Sequence, residues 1–417
     1  MTKRLILAFV FLSWHLVACS NGDSGISSGL PDKPSAEEDS PGTETISEEM
    51  RVKITGEDLY ISAKLDAKTD ILYWFKKCMF NELFTFYRVG TIDNNMPAPV
   101  TLPDASPTSL LNLAYSDNIG PFNITGYGWC GGNHPYLDEV TQTARNIGYR
   151  IYIDGKEIKT DLSTLTKEIK IEVINEIMNP SKADTSSGKT LLNEILCIET
   201  VNYSIYRNNI QVLVTHEFQN ESPVTVQMYY GMQSMFDKET HTLTANGKYV
   251  DWTVQKDVST FTKKEYPSFR RFIEKSANAY QSSYLFADGL GNHEEISDDI
   301  IFIGNSSNKT YHKIIADREH KKGDIIHWSG VYTWFKSPVS DDDDLLCYEG
   351  VIDNKKVLFI DCKKSVDRTI QLPVNYTKKS FTIIEKSKSI TITGNKVTAK
   401  GLKIVSDGSG SCVITFD

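Results

Sequence analysis

The chain is 417 residues long and carries 45 Lys and Arg against 54 Asp and Glu, a net charge of −9. That acidic balance argues against nucleic acid as a partner, because phosphate binding draws on basic patches. Once a leader and a polar tether are set aside, roughly 365 residues remain, room for one large β domain or two ordinary ones.

The chain opens with Lys3-Arg4, an apolar run from Leu5 to Leu12, and Leu16-Val17-Ala18-Cys19. A basic start, a short apolar core and small residues before a cut site describe a secretory leader. The run is shorter than the about 20 apolar residues that a membrane span needs. The Leu-Val-Ala-Cys ending resembles the lipobox of bacterial lipoproteins, which implies cleavage after residue 18 and lipidation of Cys19. The plainer alternative is a cleaved leader with an unmodified cysteine. Residues 19–50 include Pro31, Pro34, Glu37, Glu38, Asp39 and Pro41 and almost no apolar side chains, so a disordered tether is predicted there. The expected location is the cell envelope, at the outer membrane or cell surface, with the lipid as the sole membrane contact.

Residues 91–136 are crowded with Pro, Gly and Asn, and long irregular segments often carry function. Within them lies Gly126-Tyr-Gly-Trp129-Cys-Gly-Gly-Asn133-His134-Pro-Tyr136. Glycine lets backbone approach a ligand, Trp129 offers a flat ring, and His134 offers an imidazole for proton transfer. The same residues would also serve a tight structural turn. Asn133-His134-Pro135-Tyr136 resembles the Asn-His-x-Tyr of galactose mutarotase-like domains, and Ile147–Lys156 reads as a strand and turn such folds use. The resemblance implies a large sandwich of antiparallel sheets and work on sugars by a histidine and a carboxylate. Where that motif continues Phe-Asn-Leu, this chain has Leu137-Asp138-Glu139. Arg88, Arg145 and Arg150 flank the segment; a guanidinium fork suits a carboxylate, though each also reads as a surface charge.

Downstream, apolar residues alternate with period two, the strand signal: Ile169, Ile171 and Val173; Val201, Tyr203 and Ile205; Val212, Val214, His216 and Phe218; Val224, Val226, Met228 and Tyr230. The turn at Asn220–Pro223 predicts a hairpin that sets His216 opposite about residue 226. Polysaccharide lyases on sandwiches similar to these pair a His or Asn, which neutralises a uronate carboxylate, with a Tyr or His that takes the α-proton. On that resemblance His134, His216 and Tyr230 are candidate catalytic residues. Trp129, Asn133, Tyr136, Arg88 and Arg145 are candidate substrate-binding residues. His216 also reads as a core histidine bonded to a neighbour.

Pro267–Ala279 suggests a short helix. Asp341–Asp344 reads as a solvated loop, since consecutive carboxylates repel and cannot all converge on calcium. Cys347 and Cys362 fall opposite each other if Asn354-Lys355 form the turn between them; a disulfide and two reduced core thiols both remain open. Further strands are expected at Ile300–Ile303, Lys356–Ile360, Ser389–Ile392 and Cys412–Phe416. The expected fold is mostly β, a large antiparallel super-sandwich over 51–375 with few short helices. The strands of 376–417 pack on it or continue it. No Walker loop, HExxH or CxxC occurs, and neither cofactor nor metal is expected. The expected function is action on an extracytoplasmic polysaccharide, with lyase chemistry on a uronate-containing glycan, or else non-catalytic glycan binding.

Overall fold

The computed structural model describes residues 47–104, 106–113, 119–236, 241–251, 259–262, 270–286, 299–304 and 309–417. The expected leader, Cys19 and nearly all of the expected tether lie outside them.

The period-two pattern becomes antiparallel sheets. A ten-stranded sheet forms the middle layer; at its centre Ile169–Met178, Ile195–Tyr206, Asn209–Phe218, Ile325–Phe335 and Tyr280–Leu285 run side by side. Along Asn209–Phe218 the even-numbered residues are buried and the odd ones mostly are not, as a half-covered pleat requires. One face of this sheet carries Tyr203, Val212, Val214, His216 and Trp328 and packs against two six-stranded sheets. The first contains Met50–Thr55, Asp58–Lys64, Thr69–Cys78 and Leu83–Asp93; the second contains Phe122–Ile124, Gly128–Cys130, Val224–Met235 and Lys309–His320. Phe75 and Phe86 meet Tyr203 edge-on at 5.4 and 6.3 Å, while Phe122 and Tyr229 meet His216 at 4.8 and 5.0 Å. The chain is therefore mostly β, an antiparallel sandwich. The only helical segments among the described residues are single 3-10 turns at Pro180–Lys182 and Val374–Tyr376.

The other face of the ten-stranded sheet is covered in part by the C-terminal region. Leu345–Ile352, Lys355–Cys362, Gly410–Phe416 and Phe381–Lys386 form one sheet, and Val366–Ile370, Leu402–Ser406 and Ile390–Ile392 form a second behind it. Because Lys355–Cys362 pairs with Gly410–Phe416, a boundary at residue 375 would run through this unit. Tyr348, Phe359 and Val413 pack on Tyr280, Tyr284, Val331 and Phe335. Asp341 bonds Lys275 (2.7 Å) and Lys363 (2.8 Å), and Asp342 bonds Arg368 (2.7 Å). Asp341 is thus a charged clasp at one end of the acid run, while Asp342 and Asp343 stay exposed as a solvated loop would.

Three further expectations are corrected. Asn209–Phe218 does not pair with Val224–Met235; its neighbours are Ile195–Tyr206 and Ile325–Phe335. The turn at Asn220 carries the chain across to the opposing sheet, and the Asn220 amide donates to the carbonyls of Ser222 (2.8 Å) and His320 (3.1 Å). The described part of the expected helix is a strand, Arg271–Lys275, followed by the turn into Tyr280–Leu285. The turn after Ile352 is Asp353-Asn354, both at positive φ, so Cys347 faces Ile360 and Cys362 faces Leu345. No disulfide joins them; all six cysteines from Cys78 onward are buried thiols.

One buried acid makes stability depend on pH. Glu274 is fully buried and accepts hydrogen bonds from the hydroxyls of Ser234 and Thr310 across the sandwich. Burial raises its pKa to about 8 although the two hydroxyl donors oppose the rise. His320 is lowered to about 4, by burial first and by Arg318 second. A carboxyl raised in the fold lends its full stability below the unfolded value of 4.5 and loses it as pH climbs through about 8. A lowered imidazole weakens the fold as pH drops below 6.5 toward about 4. Between 4.5 and 6.5 the two slopes oppose each other; above 6.5 only Glu274 of the two still contributes. We therefore expect little change of Tm from pH 5 to 6.5, then a loss of about 2 kcal/mol by pH 8 at about 1.4 kcal/mol per unit. Glu274→Gln should remove the second phase; an unchanged fall in that variant would refute the assignment.

Candidate functional site

The glycine-rich segment begins as a hairpin, Phe122–Ile124 against Gly128–Cys130, at the edge of the second six-stranded sheet. Pairing sets Phe122 opposite Cys130 and Asn123 opposite Trp129. The first pair is fully buried, so Trp129 stands on the outer face, half-exposed.

After Cys130 the backbone is tied to the body. The Asn81 amide donates to the carbonyls of Gly132 (2.9 Å) and His134 (3.2 Å), Thr143 Oγ1 donates to the same His134 carbonyl, and Gly131 N–H donates to Thr143 Oγ1 (3.0 Å). Asn133 Oδ1 accepts the Phe80 N–H at 2.8 Å, so this amide holds the loop in place. These bonds bring the His134 ring onto the Trp129 indole, centroids 5.3 Å apart and planes 24° apart. Tyr136 is half-buried two residues on, its N–H donating to the Thr141 carbonyl at 2.8 Å.

Tyr230 arrives from the neighbouring strand. Val224 and Val226 point inward, and strict alternation would send Tyr230 the same way. A bulge between Val226 and Met228 reverses the phase, as bulges do when they re-aim a side chain. Tyr229 therefore points into the core, its hydroxyl donating to the Ile119 carbonyl (2.7 Å) and accepting from Trp328 Nε1 (2.8 Å). Tyr230 points outward and stacks toward Trp129 at 6.1 Å and 24°. On its far side lies Tyr311 at 5.0 Å, whose hydroxyl accepts from the buried Gln233 amide at 2.5 Å. The result is a row of four half-buried rings, His134, Trp129, Tyr230 and Tyr311, on one face of the second six-stranded sheet. Lys313 lies opposite Tyr230 in the pairing and two residues beyond Tyr311.

The other candidates do not join this row. His216 is fully buried, with Nε2 3.0 Å from Glu199 Oε2 and its ring between Phe122 and Tyr229. Glu199 also accepts from Asn175 (2.8 Å). His216 is the core histidine of the alternative reading and is closed to a polymer. Arg145 is ion-paired with Glu176, and Arg150 with Glu172. Arg88 lies on the other six-stranded sheet, beside Tyr87 and Trp74.

That sheet carries an aromatic group which the sequence reading passed over. Tyr60, Trp74 and Arg88 are successive cross-strand partners on its outer face. Tyr60 and Trp74 stack at 5.4 Å and 24°. With Leu72, Pro103 and Ser106 they border a cleft of about 240 Å³. Among the described residues no group of three or more His, Cys, Asp or Glu is placed to hold a metal ion.

No family model and no curated protein matches the sequence. Solved structures that superpose on it include a GH36 α-galactosidase from Geobacillus stearothermophilus, at 9% identity over 69% of this chain and 41% of that one, with a TM-score of 0.38. A polysaccharide lyase aligns at 7% identity over 82% and 45%, TM-score 0.27. The chondroitin AC lyase of Streptomyces coelicolor A3, in complex with chondroitin sulphate, aligns at 8% identity over 86% and 48%, TM-score 0.20. This chain spans less than half the length of each, and superpositions this loose transfer neither a site nor an activity.

Proposed function

We propose that this chain is a lipid-anchored envelope protein that binds a polysaccharide along the ring row of its second six-stranded sheet. The observation that carries the reading is the contiguous set His134, Trp129, Tyr230 and Tyr311, the first three within 24° of their neighbours and Tyr311 tilted by 36°, held on the outer face by a bulge and a stapled loop. Half-buried rings grouped on one sheet face offer a sugar chain apolar area, and their polar edges meet hydroxyls. Because sheet and loop fix them before any ligand arrives, little ordering entropy is lost on binding. Lys313 beside Tyr230 favours an acidic glycan.

Binding is preferred to turnover because the groups a lyase needs around one uronate are dispersed. Asn133 is engaged by Phe80, His216 lies in the core, and Arg145 is neutralised by Glu176. Lyase chemistry is the second reading, favoured by one observation: His134 and Tyr230 both lie against Trp129, so an acid–base pair would sit over a single bound ring.

Trp129→Ala should weaken retention on acidic polysaccharides at least tenfold, about 1.4 kcal/mol, in affinity electrophoresis, with an unchanged circular dichroism spectrum. Retention unaffected by Trp129→Ala and Tyr230→Ala would end the proposal. A broad uronate panel decides between the readings, since a lyase leaves unsaturated ends that absorb ultraviolet light and a binder leaves none. The anchor is tested separately: Cys19→Ala should lose palmitate labelling and leave the membrane fraction, and unaltered labelling would exclude it.

A further inference from the structure

The cleft on the first six-stranded sheet has three properties that belong together. Its wall is aromatic: Trp74 pairs with Tyr60 on one side and with Arg88 on the other. Its next rung pairs Leu72 with Gly90, so the floor is apolar and, at Gly90, unobstructed by a side chain. Its far wall is the segment around Pro103 and Ser106.

That segment is held by a buried charged knot. Lys64 Nζ bonds Asp70 Oδ1 (2.8 Å) and the Asn94 carbonyl (2.6 Å), and Asp70 Oδ2 accepts from the Asn94 amide (2.7 Å) and the Val100 N–H (2.8 Å). Lys64 and Asp70 are essentially unexposed. The chain is thus tied where it enters the far wall, at Val100, and again just past it, where the Thr108 N–H donates to the Thr91 carbonyl at 2.7 Å.

The charge at this cleft is one-sided. Arg88 lies over the rings of Tyr87 (4.8 Å) and Trp74 (5.8 Å), and its hydrogen bond is to the Tyr87 hydroxyl (3.3 Å). Lys76 sits over the same two rings at 4.2 and 4.4 Å. Neither cation has a carboxylate partner among the described residues, whereas Arg145, Arg150 and Arg368 each do. The nearby acids are committed elsewhere: Asp58 accepts the Trp74 indole N–H (2.9 Å), and Asp104 faces Lys53 (3.9 Å). A guanidinium laid on aromatic faces is partly dehydrated and keeps its planar fork for an anion with two oxygens. About 240 Å³ is slightly below the about 300–1,000 Å³ typical of small-molecule clefts, which fits one sugar ring rather than a chain.

We propose that this cleft is a second, separate site that takes a single uronate residue, its ring against the Tyr60–Trp74 wall and its carboxylate on Arg88. This inference stands on the cleft's own geometry and extends the preference for acidic glycans to a different sheet.

The test uses the full-length protein and methyl glucuronide as probe, with methyl glucoside as the neutral control, followed by calorimetry and saturation-transfer NMR. Binding of the glucuronide is expected at millimolar concentration, with the glucoside at least tenfold weaker. Arg88→Gln should reduce glucuronide affinity at least tenfold, Arg88→Lys less, and Ser106→Trp, which fills the cleft from its exposed rim, should abolish it. Trp129→Ala should leave the Arg88-dependent part of that binding in place. No glucuronide binding by the parent protein, or binding indifferent to Arg88→Gln and Ser106→Trp, overturns the proposal. If Trp129→Ala removes glucuronide binding while Arg88→Gln does not, the anion sits on the ring row, so that reading stands and this one falls. If polymer retention ignores Trp129 while the cleft variants lose glucuronide, the reverse holds.

Discussion

Asp361→Ala should destabilise the protein by about 3–5 kcal/mol, the range for stranding a buried charge. Arg271 and Asp361 form an ion pair across the join between the ten-stranded sheet and the C-terminal region, with side chains 1% and 8% exposed. Arg271 Nε and Nη2 both reach Asp361 Oδ1, at 3.1 and 2.7 Å, and Nη2 also reaches the Ile360 carbonyl at 3.2 Å. Asp361 Oδ2 and Arg271 Nη1 have no hydrogen-bond partner among the described residues. The intact pair therefore recovers only part of its desolvation cost and adds little net stability. Removing the carboxylate is another matter, because the guanidinium stays trapped between Tyr284 and Phe359, 5.6 and 5.1 Å from their centroids. An Arg271→Met/Asp361→Leu double variant should recover most of the loss, since an apolar pair of similar volume is often neutral or better in such a place. Urea titration of the three proteins decides it: a single-variant loss below about 1 kcal/mol, or no recovery in the double variant, would contradict the account.

The same join shows what the sequence conceals. Arg271–Lys275 and Tyr280–Leu285 are covered on both faces, by the sandwich on one side and the C-terminal region on the other. Every residue of YQSSYL is buried. Alternation disappears when both faces of a strand are covered, and Arg271 and Glu274 each find a partner inside the protein, Asp361 for the one and the Ser234 and Thr310 hydroxyls for the other. Where one face meets water, as at Ile169–Met178 and Asn209–Phe218, the pattern reads cleanly. It still names only the face and not the partner: Asn209–Phe218 pairs with Ile325–Phe335, more than a hundred residues onward, and the tight turn at Asn220 gave no sign of a crossover. At Asp353-Asn354 a turn displaced by one residue moved the pairing of Cys347 by two, because register follows the turn.

The site divides along the same line. Trp129 and His134 were legible because a glycine-rich segment drew attention to them. Tyr230 was singled out, but on the face opposite the one it occupies, since a bulge leaves no mark in a period-two count. Tyr311, Tyr60 and Trp74 went unseen. A usable signal existed for the last: in Asp70-Ile-Leu-Tyr-Trp-Phe-Lys-Lys77, Trp74 shares its phase with Lys76, which is water-facing. An indole on the wet phase of a strand is worth suspecting.

Gly120→Ala should be among the most damaging single substitutions in the chain, and its effect should reach the ring row. Gly120 adopts φ +110°, where an L side chain is strained by about 1–3 kcal/mol. A Cβ there would lie 1.6 Å from the Tyr230 carbonyl oxygen, 2.8 Å from its carbon and 3.2 Å from Tyr229 Cε2. The first two are backbone atoms of a central strand and cannot rotate away. Nor can Tyr229 give way freely, since its hydroxyl is bonded by Trp328 Nε1 and to the Ile119 carbonyl. The Val224–Met235 strand must shift where it presents Tyr230, so a loss above about 3 kcal/mol is expected, with glycan retention falling even in the protein that still folds. Gly126→Ala supplies the comparison: φ there is +81°, but nothing lies within 4 Å of the added carbon, so only the backbone strain of about 1–2 kcal/mol applies. Chemical denaturation and polysaccharide retention measured on both variants separate steric overlap from strain. Equal losses would mean that the close approach of Gly120 to Tyr230 does not position the ring.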